Sequence, residues 1–188
     1  DVKMLILKAS VHRSMKQYGK ALGDLDIASR VFHQQRLLLL EEQRTEQHEL
    51  RREINSSNIS GGFSSADFTE HAEITRQRNL TLNDMAVDRF RRKDYRGAIT
   101  LFNQVIDSEK RADVSATAAR EGQSFVNVSF FSNRGDCHRE LGMLQQALAD
   151  YHVAYDLDPT NWETTTRLGM IHDQFGLQLY NSSRYPEA

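Results

Sequence analysis

The chain has 188 residues, and its 24 basic and 26 acidic side chains give a formal net charge of −2 at pH 7. No basic stripe dominates, which excludes the electrostatic footprint of a nucleic-acid binder. No apolar run exceeds four residues, as in Leu37 to Leu40, whereas a membrane-spanning helix needs about 20. Neither nucleic acid nor membrane is therefore an expected partner. A single cysteine, Cys137, cannot form an internal disulfide, which favours a reducing, cytoplasmic compartment.

The first predicted element is a helical hairpin that starts at Val2 and continues into a long charged helix. Its regularly spaced apolar and small residues are Leu5, Ala9, Tyr18, Ala21, Leu25 and Ala28. The stretch Gln34 to Ile54 has many Glu and Arg residues at i,i+3 and i,i+4 spacing, so it can extend the second helix as a solvated rod. We predict that residues 1–54 form one domain.

A segment rich in Ser, Gly and Asn, residues 55–66, follows this helix. Its composition is typical of a flexible linker. A second long helix is predicted to begin near Asp67 or Thr69, because Asp and Thr are favoured at the N-cap, and to end near Lys93. Residues 67–188 are predicted to form a second domain that contains three further repeats of the hairpin.

The first of these repeats lies near 79–112, and fifteen extra residues, 113–127, separate it from the next. It has residues that correspond to those of the first hairpin; these are Leu82, Ala86, Tyr95, Ala98, Phe102 and Val105.

The most regular repeat is the 34-residue window 128–161. Counted from Val128, it has large residues at places 4 and 24 and small ones at places 8, 20 and 27; these are Phe131, Tyr151, Gly135, Ala147 and Ala154. Small residues let two antiparallel helices approach closely, and the large ones fill the space between them. Pro159 at place 32 ends the second helix, because it has no amide donor and clashes with the preceding turn.

The last repeat, 162–188, is incomplete. Leu168, Gly169 and Gly176 fall at repeat places, and the Tyr-x-x-Ala spacing returns at Tyr185 and Ala188, seven residues late. Seven residues are about two helical turns, so the first helix of this repeat can lengthen without rotating its buried face.

These spacings resemble the tetratricopeptide repeat family, and the window 128–161 carries the resemblance most fully. The resemblance implies an all-α fold, a tetratricopeptide-type α-solenoid of antiparallel helix hairpins with irregular insertions. It also implies a non-catalytic scaffold for protein–protein interaction that needs no cofactor. Two residues depart from the family pattern: Arg134 at place 7, where Leu is usual, and His138 at place 11, where Tyr is usual.

Three runs resemble one member of the family that is associated with cilia and flagella. They are LTLNDMAV at 80–87, SNRGDCHRELG at 132–142 and TRLGMIHDQFG at 166–176. This resemblance implies a cytoplasmic protein of the cilium or flagellum axoneme. Its expected partners are helical or extended segments of other proteins, including axonemal microtubule-associated proteins.

We predict no catalytic, cofactor or metal site. His12, His138 and His172 all fall at place 11, where the family has an aromatic residue, so we interpret them as planar rings packed between helices. The histidines and Cys137 lack the paired spacing of zinc ligands. Cys137 is predicted to lie in mid-helix as a buried, inert thiol.

The candidate binding site is a groove along the first helices of the repeats. In the family, places 2, 5, 9 and 12 of these helices line the concave face. Those places, with two neighbours at place 6, are Leu80, Asn83, Val87, Phe90, Ser129, Ser132, Asn133, Asp136, Arg139, Glu163, Thr166, Arg167, Met170 and Asp173. The set changes from apolar to acidic along the chain, which suits an amphipathic helix or an extended peptide with a basic end. Alternatively, these side chains only cover the solenoid.

A second hypothesis is a soluble co-chaperone adaptor that binds an acidic C-terminal peptide through the family's carboxylate clamp. Asn133 and Arg167 match two of the five clamp places. The other three places hold Asn83, Val87 and Glu163, and Glu163 would repel a bound carboxylate. The match is therefore incomplete.

Overall fold

The structure, a computed structural model, describes residues 1–53, 65–117 and 127–182. These ranges form seven α-helices and no β-strand, so the predicted all-α class is confirmed. The helices are α1 (Val2–Ser14), α2 (Tyr18–Glu53), α3 (Ser65–Arg91), α4 (Tyr95–Thr117), α5 (Val128–Glu140), α6 (Leu144–Leu157) and α7 (Trp162–Ser182). None of the helices in these ranges is long and apolar enough to cross a membrane.

The predicted boundaries are only partly within the described residues. Helix α3 begins at Ser65 rather than at Asp67 or Thr69, and it ends at Arg91 rather than at Lys93. The predicted linker lies outside the described residues except for its last two positions, which belong to α3, and so does 118–126 of the predicted insertion. The division into domains 1–54, 55–66 and 67–188 stays a prediction.

The chain divides into two compact units, Asp1–Thr81 and Leu82–Ala188, called unit 1 and unit 2 below. In unit 1, α1 and α2 form an antiparallel hairpin with a core that contains Ala9, Ala21 and Leu25, each exposed by 1% or less. Ile74 of α3 belongs to the same cluster. Helix α2 continues to Glu53, as the charge pattern predicts, and Leu37 to Leu40 on this extension are 48–62% exposed.

In unit 2, the same repeat places form the core of each hairpin. Ala98 and Ala147 at place 20 are fully buried, and so are the place-24 residues Phe102 and Tyr151, with exposures of 1% or less. A small residue at place 20 lets the helices approach, and the ring at place 24 then fills the interhelical space. Places 20 and 24 therefore have the packing roles that their residue types predict.

Three helix–helix turns share one backbone conformation at place 15. Lys16, Lys93 and Gly142 have positive φ values of 58°, 63° and 72°, respectively. In each turn, the amide of the next residue donates to the carbonyl of place 11, as Met143 N does to His138 O at 2.9 Å. This left-handed turn ends the first helix and starts the second in all three hairpins.

Polar side chains at the starts of the first helices satisfy free backbone amides. The Asn127 side chain accepts a hydrogen bond from Ser129 N at 2.9 Å, and Asn161 Oδ1 accepts one from Thr164 N at 3.2 Å. Asp1 caps α1 in the same way through Lys3 N. These caps start α5, α7 and α1 where the repeat register places them.

Candidate functional site

The structure distributes the predicted groove residues over both units. Leu80 lies in unit 1, and the other thirteen lie in unit 2 on α3, α5 and α7. Five of the thirteen are exposed: Ser129, Glu163, Thr166, Met170 and Asp173. Seven are partly buried: Asn83, Val87, Phe90, Asn133, Asp136, Arg139 and Arg167. Ser132 is buried, and its hydroxyl lies 3.4 Å from that of Thr164.

The exposed part of the set is concentrated on one face of α7. Thr166, Met170, Asp173 and Leu177 recur at intervals of three or four residues, so they lie on one side of the helix. We call these four residues the groove face. Met170 is 52% exposed and Leu177 is 62% exposed. The sequence analysis missed Leu177, although it continues the same helical spacing one turn beyond Asp173.

A shallow depression of about 710 Å³ that is largely open to solvent adjoins the groove face. Its lining residues come from α5, the α5–α6 turn, α6 and α7; they are Arg139, Gly142, Leu144, Gln174, Leu177, Gln178 and Asn181. Arg139 of the predicted set and Leu177 of the groove face therefore border the same depression. Leu144 and Leu177 contribute apolar side chains to it, whereas the guanidinium of Arg139 is paired with Glu140 at 2.8 Å.

The α3 members of the predicted groove contribute to the hydrophobic core of unit 2. Val87 and Phe90 pack against a buried cluster that includes Ala86 and Phe102. The ring of Phe90 also contacts that of Tyr95 edge-to-face, with centroids 5.3 Å apart. Both side chains are only partly exposed, so the more exposed apolar surface of the groove is on α7 rather than on α3.

Asp136, a predicted acidic residue of the groove, is neutralised by its neighbours. Arg167 Nε donates to both of its carboxylate oxygens, at 3.1 and 3.2 Å, and the Tyr151 hydroxyl donates at 2.8 Å. Burial and the Asp136 carboxylate raise the pKa of Tyr151, so the hydroxyl stays protonated and keeps donating. The net acidic character of the groove therefore depends on Glu163 and Asp173.

The two residues that match the carboxylate clamp are already engaged within the chain. Arg167 binds Asp136, and its NH1 also lies 3.3 Å from Glu163 Oε2. Asn133 Nδ2 donates to Asn83 Oδ1 at 3.4 Å. A peptide carboxylate would have to displace these partners, and Arg167 would then leave two carboxylates uncompensated. The geometry thus gives the co-chaperone hypothesis little support.

A polar cluster recurs in two hairpins, and the sequence analysis missed it. Asp150 of α6 accepts hydrogen bonds from His138 Nδ1 at 2.9 Å and from Arg134 Nε at 3.0 Å. In unit 1, Asp24 of α2 accepts from His12 Nδ1 at 2.6 Å and from Lys8 Nζ at 2.9 Å. The sequence did contain a signal, because both repeats have a basic residue at place 7, His at place 11 and Asp at place 23. These are Lys8, His12 and Asp24 in the first repeat and Arg134, His138 and Asp150 in the third.

The two carboxylates of these clusters are buried but remain ionised. Burial by itself would raise the pKa of Asp150, but hydrogen bonds from His138 and Arg134 outweigh it and lower the pKa. Asp24 behaves in the same way with His12 and Lys8. The departures from the family pattern at places 7 and 11 are therefore partners of one acid. They fasten the two helices of a hairpin to each other.

The third place-11 histidine differs from the other two, which corrects the interpretation of all three as packed rings. His12 and His138 lie between helices, but each is held by an aspartate rather than by ring packing alone. His172 is exposed, and its ring lies 6.3 Å from that of His152. Within 1–53, 65–117 and 127–182, no three His, Cys, Asp or Glu residues are grouped to hold a metal.

Cys137 is fully buried at place 10 of the third repeat, in a cluster with Phe102. Burial and the nearby Asp136 carboxylate raise the pKa of its thiol to about 12. A thiol in such an environment is a poor nucleophile, because the thiolate is the reactive form. Its role in the described structure is packing.

Comparisons with known proteins agree with this architecture. No family model matches the chain. Two curated proteins named tetratricopeptide repeat protein 16, from Macaca fascicularis and Homo sapiens, are each 32% identical to it over 104 residues, 55% of the chain. The Mus musculus protein of that name is 30% identical over 104 residues. The chain spans only 10–12% of the length of these relatives.

One solved structure extends the likeness to nearly the whole chain. It is the C-terminal TPR-containing domain of a Plasmodium falciparum FK506-binding protein, with a TM-score of 0.50 and 15% identity. The alignment covers 95% of this chain and 90% of that one. It confirms the predicted fold class, a tetratricopeptide-type solenoid, and the curated relatives confirm the predicted family resemblance.

Proposed function

We propose that the chain, which has a tetratricopeptide-type fold and is similar to proteins named tetratricopeptide repeat protein 16, is a non-catalytic scaffold that binds another protein along the groove face. The observation that carries the proposal is the exposure of Met170 and Leu177 by 52% and 62% on one side of α7. They are seven residues apart, which matches the two-turn spacing of anchor residues along a bound helix. Two apolar side chains exposed at this spacing on one side of a helix provide anchor points for a protein partner.

The charges beside the groove face define the partner further. Glu163 and Asp173 are exposed, whereas the carboxylate of Asp136 is neutralised by Arg167. A bound helix or extended segment would place its apolar residues on Met170 and Leu177 and its basic end near Asp173. Such complementarity sets the register of the partner rather than supplying most of the affinity.

We also propose that the scaffold acts in the cilium or flagellum, on axonemal microtubule-associated proteins. The support is the resemblance of the three runs at 80–87, 132–142 and 166–176 to tetratricopeptide repeat protein 16, a name that the curated relatives carry. The test is fluorescence microscopy of the full-length protein with a tag in ciliated cells. Signal along the axoneme supports the proposal, and signal confined to the cell body contradicts it.

Quantitative affinity purification tests binding at the groove face. Met170→Glu places a charge in the apolar surface, and Val153→Glu is the matched control because Val153 is also an exposed apolar residue, on α6. We expect the recovery of specific partners from ciliated cells to fall at least about tenfold with Met170→Glu, because an apolar contact is replaced by a desolvated charge. Equal recovery with both variants would contradict this site.

A further inference from the structure

The turn between α3 and α4 carries a local excess of positive charge. Five of the nine residues from Asp88 to Arg96 are Arg or Lys and two are Asp, so the stretch has a formal charge of +3 in a chain of net charge −2. Arg92, Lys93 and Arg96 are exposed and lie within five consecutive residues. We call these three residues the turn cations. One anionic segment can reach all of them, because five residues span at most about 18 Å.

The carboxylates of the turn already have cationic partners. Asp94 Oδ2 lies 3.1 Å from Arg89 NH1, and Asp88 Oδ1 lies 3.2 Å from Arg91 NH1. Asp94 Oδ1 also accepts a hydrogen bond from Gly97 N at 3.0 Å, which caps α4. Within residues 1–53, 65–117 and 127–182, no carboxylate forms an ion pair with a turn cation. The described structure therefore leaves three positive charges of the turn uncompensated.

The backbone of this turn does not require the cations. The third hairpin has Leu141, Gly142 and Gln145 at the equivalent places 14, 15 and 18. Both turns have a positive φ at place 15, 63° and 72°, and in both the next amide donates to the place-11 carbonyl, at 3.0 Å and 2.9 Å. Neutral side chains therefore support the same turn, so the positive charges at these places need another explanation.

Two of the turn cations occupy positions that cost stability. Lys93 has a φ of 63°, in the left-handed region that favours glycine. Arg96 lies in the first turn of α4, where the aligned peptide dipoles give a partial positive charge that repels a cation. Residues that disagree with local structural preferences are typical of functional sites. The unfavourable placement of both charges therefore indicates a binding role.

The aromatic rings beside the turn cations limit the class of anion. Phe90 and Tyr95 are partly buried and contact each other edge-to-face, with centroids 5.3 Å apart. Both also pack on the buried cluster that contains Ala98. They are therefore not free to stack on the bases of single-stranded nucleic acid or to insert into a membrane. Carboxylates, in contrast, are the groups that the neighbouring Arg89 and Arg91 bind.

The parts of the chain outside the described ranges do not supply a matching acidic run. They contain two acidic side chains, Glu121 and Glu187, and two basic ones, Arg120 and Arg184. Because these charges cancel, none of these segments carries the negative charge that would neutralise the turn. The complementary anion is therefore expected on another protein.

We propose that the turn cations bind an acidic, extended segment of a partner protein through its carboxylates. The planar guanidinium groups of Arg92 and Arg96 suit bidentate pairing with Asp or Glu side chains. An extended segment can present successive carboxylates along the span of the turn. The site is distinct from the carboxylate clamp places and from the groove face on α7, whose proposed partner segment is apolar with a basic end.

The probe for this proposal is a fluorescent peptide of about ten Glu residues, which spans about 33 Å when extended and so covers the turn. Fluorescence anisotropy with the 188-residue chain should show saturable binding that weakens as the salt concentration rises. A peptide of the same length made of Gln should not bind, because it has no carboxylates.

A double variant of the chain, Lys93→Gly with Arg96→Gln, separates binding from folding. It should weaken binding of the Glu peptide at least about fivefold, because two charge pairs are lost. Its Tm should instead rise by about 2–4 °C, because both changes remove a locally unfavourable residue. The control, Arg30→Gln with Arg111→Gln, removes the same charge from two other exposed positions and should leave binding within about twofold of the wild type.

Four results would overturn the proposal. The first is the absence of saturable binding of the Glu peptide. The second is an equal effect of the double variant and the control on binding, which would show a response to net charge alone. The third is a lower Tm of the double variant, which would contradict the unfavourable placement of the charges. The fourth is binding of oligouridine or phosphatidylserine vesicles that the double variant abolishes while the Glu peptide does not bind, which would assign the turn to nucleic acid or to a membrane.

Discussion

His138 donates a hydrogen bond from Nδ1 to Asp150 Oδ2 at 2.9 Å and thereby joins the two helices of the third hairpin. Arg134 shares the same carboxylate, and it also donates from NH1 to Asn103 Oδ1 of α4 at 2.7 Å. The Asp150 carboxylate of α6 thus binds two side chains of α5, and one of these, Arg134, also binds Asn103 of α4. The equivalent cluster around Asp24 shows that this is a recurrent device of the chain.

Asp150→Asn should destabilise the chain by about 1–3 kcal/mol, because it leaves the partly buried Arg134 without its counter-charge. The Arg134 side chain is 20% exposed and that of Asp150 is 5% exposed, so solvent can replace the lost partner only in part. Urea unfolding measures the difference. Asp156→Asn, an exposed position on the same helix, is the control and should change stability by less than about 0.5 kcal/mol.

The stability contributed by the Asp150 cluster should be lost in acid. The pKa of Asp150 is lowered in the folded chain from its ordinary value of 3.8. The contribution is therefore fully present above that value and disappears as pH falls through the lowered pKa. Thermal melts of the wild type and Asp150→Asn should differ by a constant amount at neutral pH and converge below about pH 4. A gap that instead widened in acid would contradict the assigned sign.

Gly135→Ala should destabilise the third hairpin by about 1–3 kcal/mol through overpacking. A Cβ on Gly135 would lie 2.6 Å from Tyr151 Cε1 and 2.9 Å from Cδ1. Gly169 has the same repeat place in α7, but a Cβ there would meet no neighbouring atom within 4 Å, so Gly169→Ala should stabilise α7 by about 0.5–1 kcal/mol. Opposite signs in urea unfolding are expected, and a loss of stability in both variants would contradict the packing account.

Lys93→Gly should stabilise the chain by about 0.5–1 kcal/mol, because Lys93 has a φ of 63° in the left-handed region that favours glycine. Gly142 has the same repeat place in the next hairpin, with a φ of 72°, and is the reverse test. Gly142→Lys should lower stability by about 1 kcal/mol. Differential scanning calorimetry of the two variants should give Tm shifts of opposite sign.

The hairpin packing could be predicted from the sequence because it depends on residue size at fixed spacing. Gly135, Ala147 and Tyr151 are informative on their own: a small residue permits close approach and a large one fills the space. The left-handed turns are harder to predict from the sequence, because a lysine has the positive φ at positions 16 and 93. Only the third turn has the glycine that favours this conformation, Gly142. Hairpin packing is therefore easier to predict than the turns, because size alone determines the role of a core residue, whereas lysine is not specific to a left-handed turn.

The polar contacts between different repeats could not be predicted in the same way, because they join residues far apart in sequence, whereas the clusters within hairpins had a recurrent spacing as their signal. Arg167 and Asp136 are 31 positions apart, and their pairing depends on how α7 packs on α5. Arg134 and His138 depart from the family pattern in the sequence, and their role depends on contact with Asp150 on the neighbouring helix. The repeat place of Met170 predicted that it lines the groove, whereas the sequence does not distinguish Met4 from a core residue until the neighbouring helices are in place.

Site-directed photo-crosslinking of the native assembly tests the central claim, that the groove face binds a partner protein. A benzophenone amino acid would replace Met170 in one variant and Val153, on α6, in the matched control; both positions are exposed. After irradiation in ciliated cells, we predict discrete crosslinked proteins at position 170 that are absent at position 153. The same products at both positions, or none at position 170, would contradict the claim.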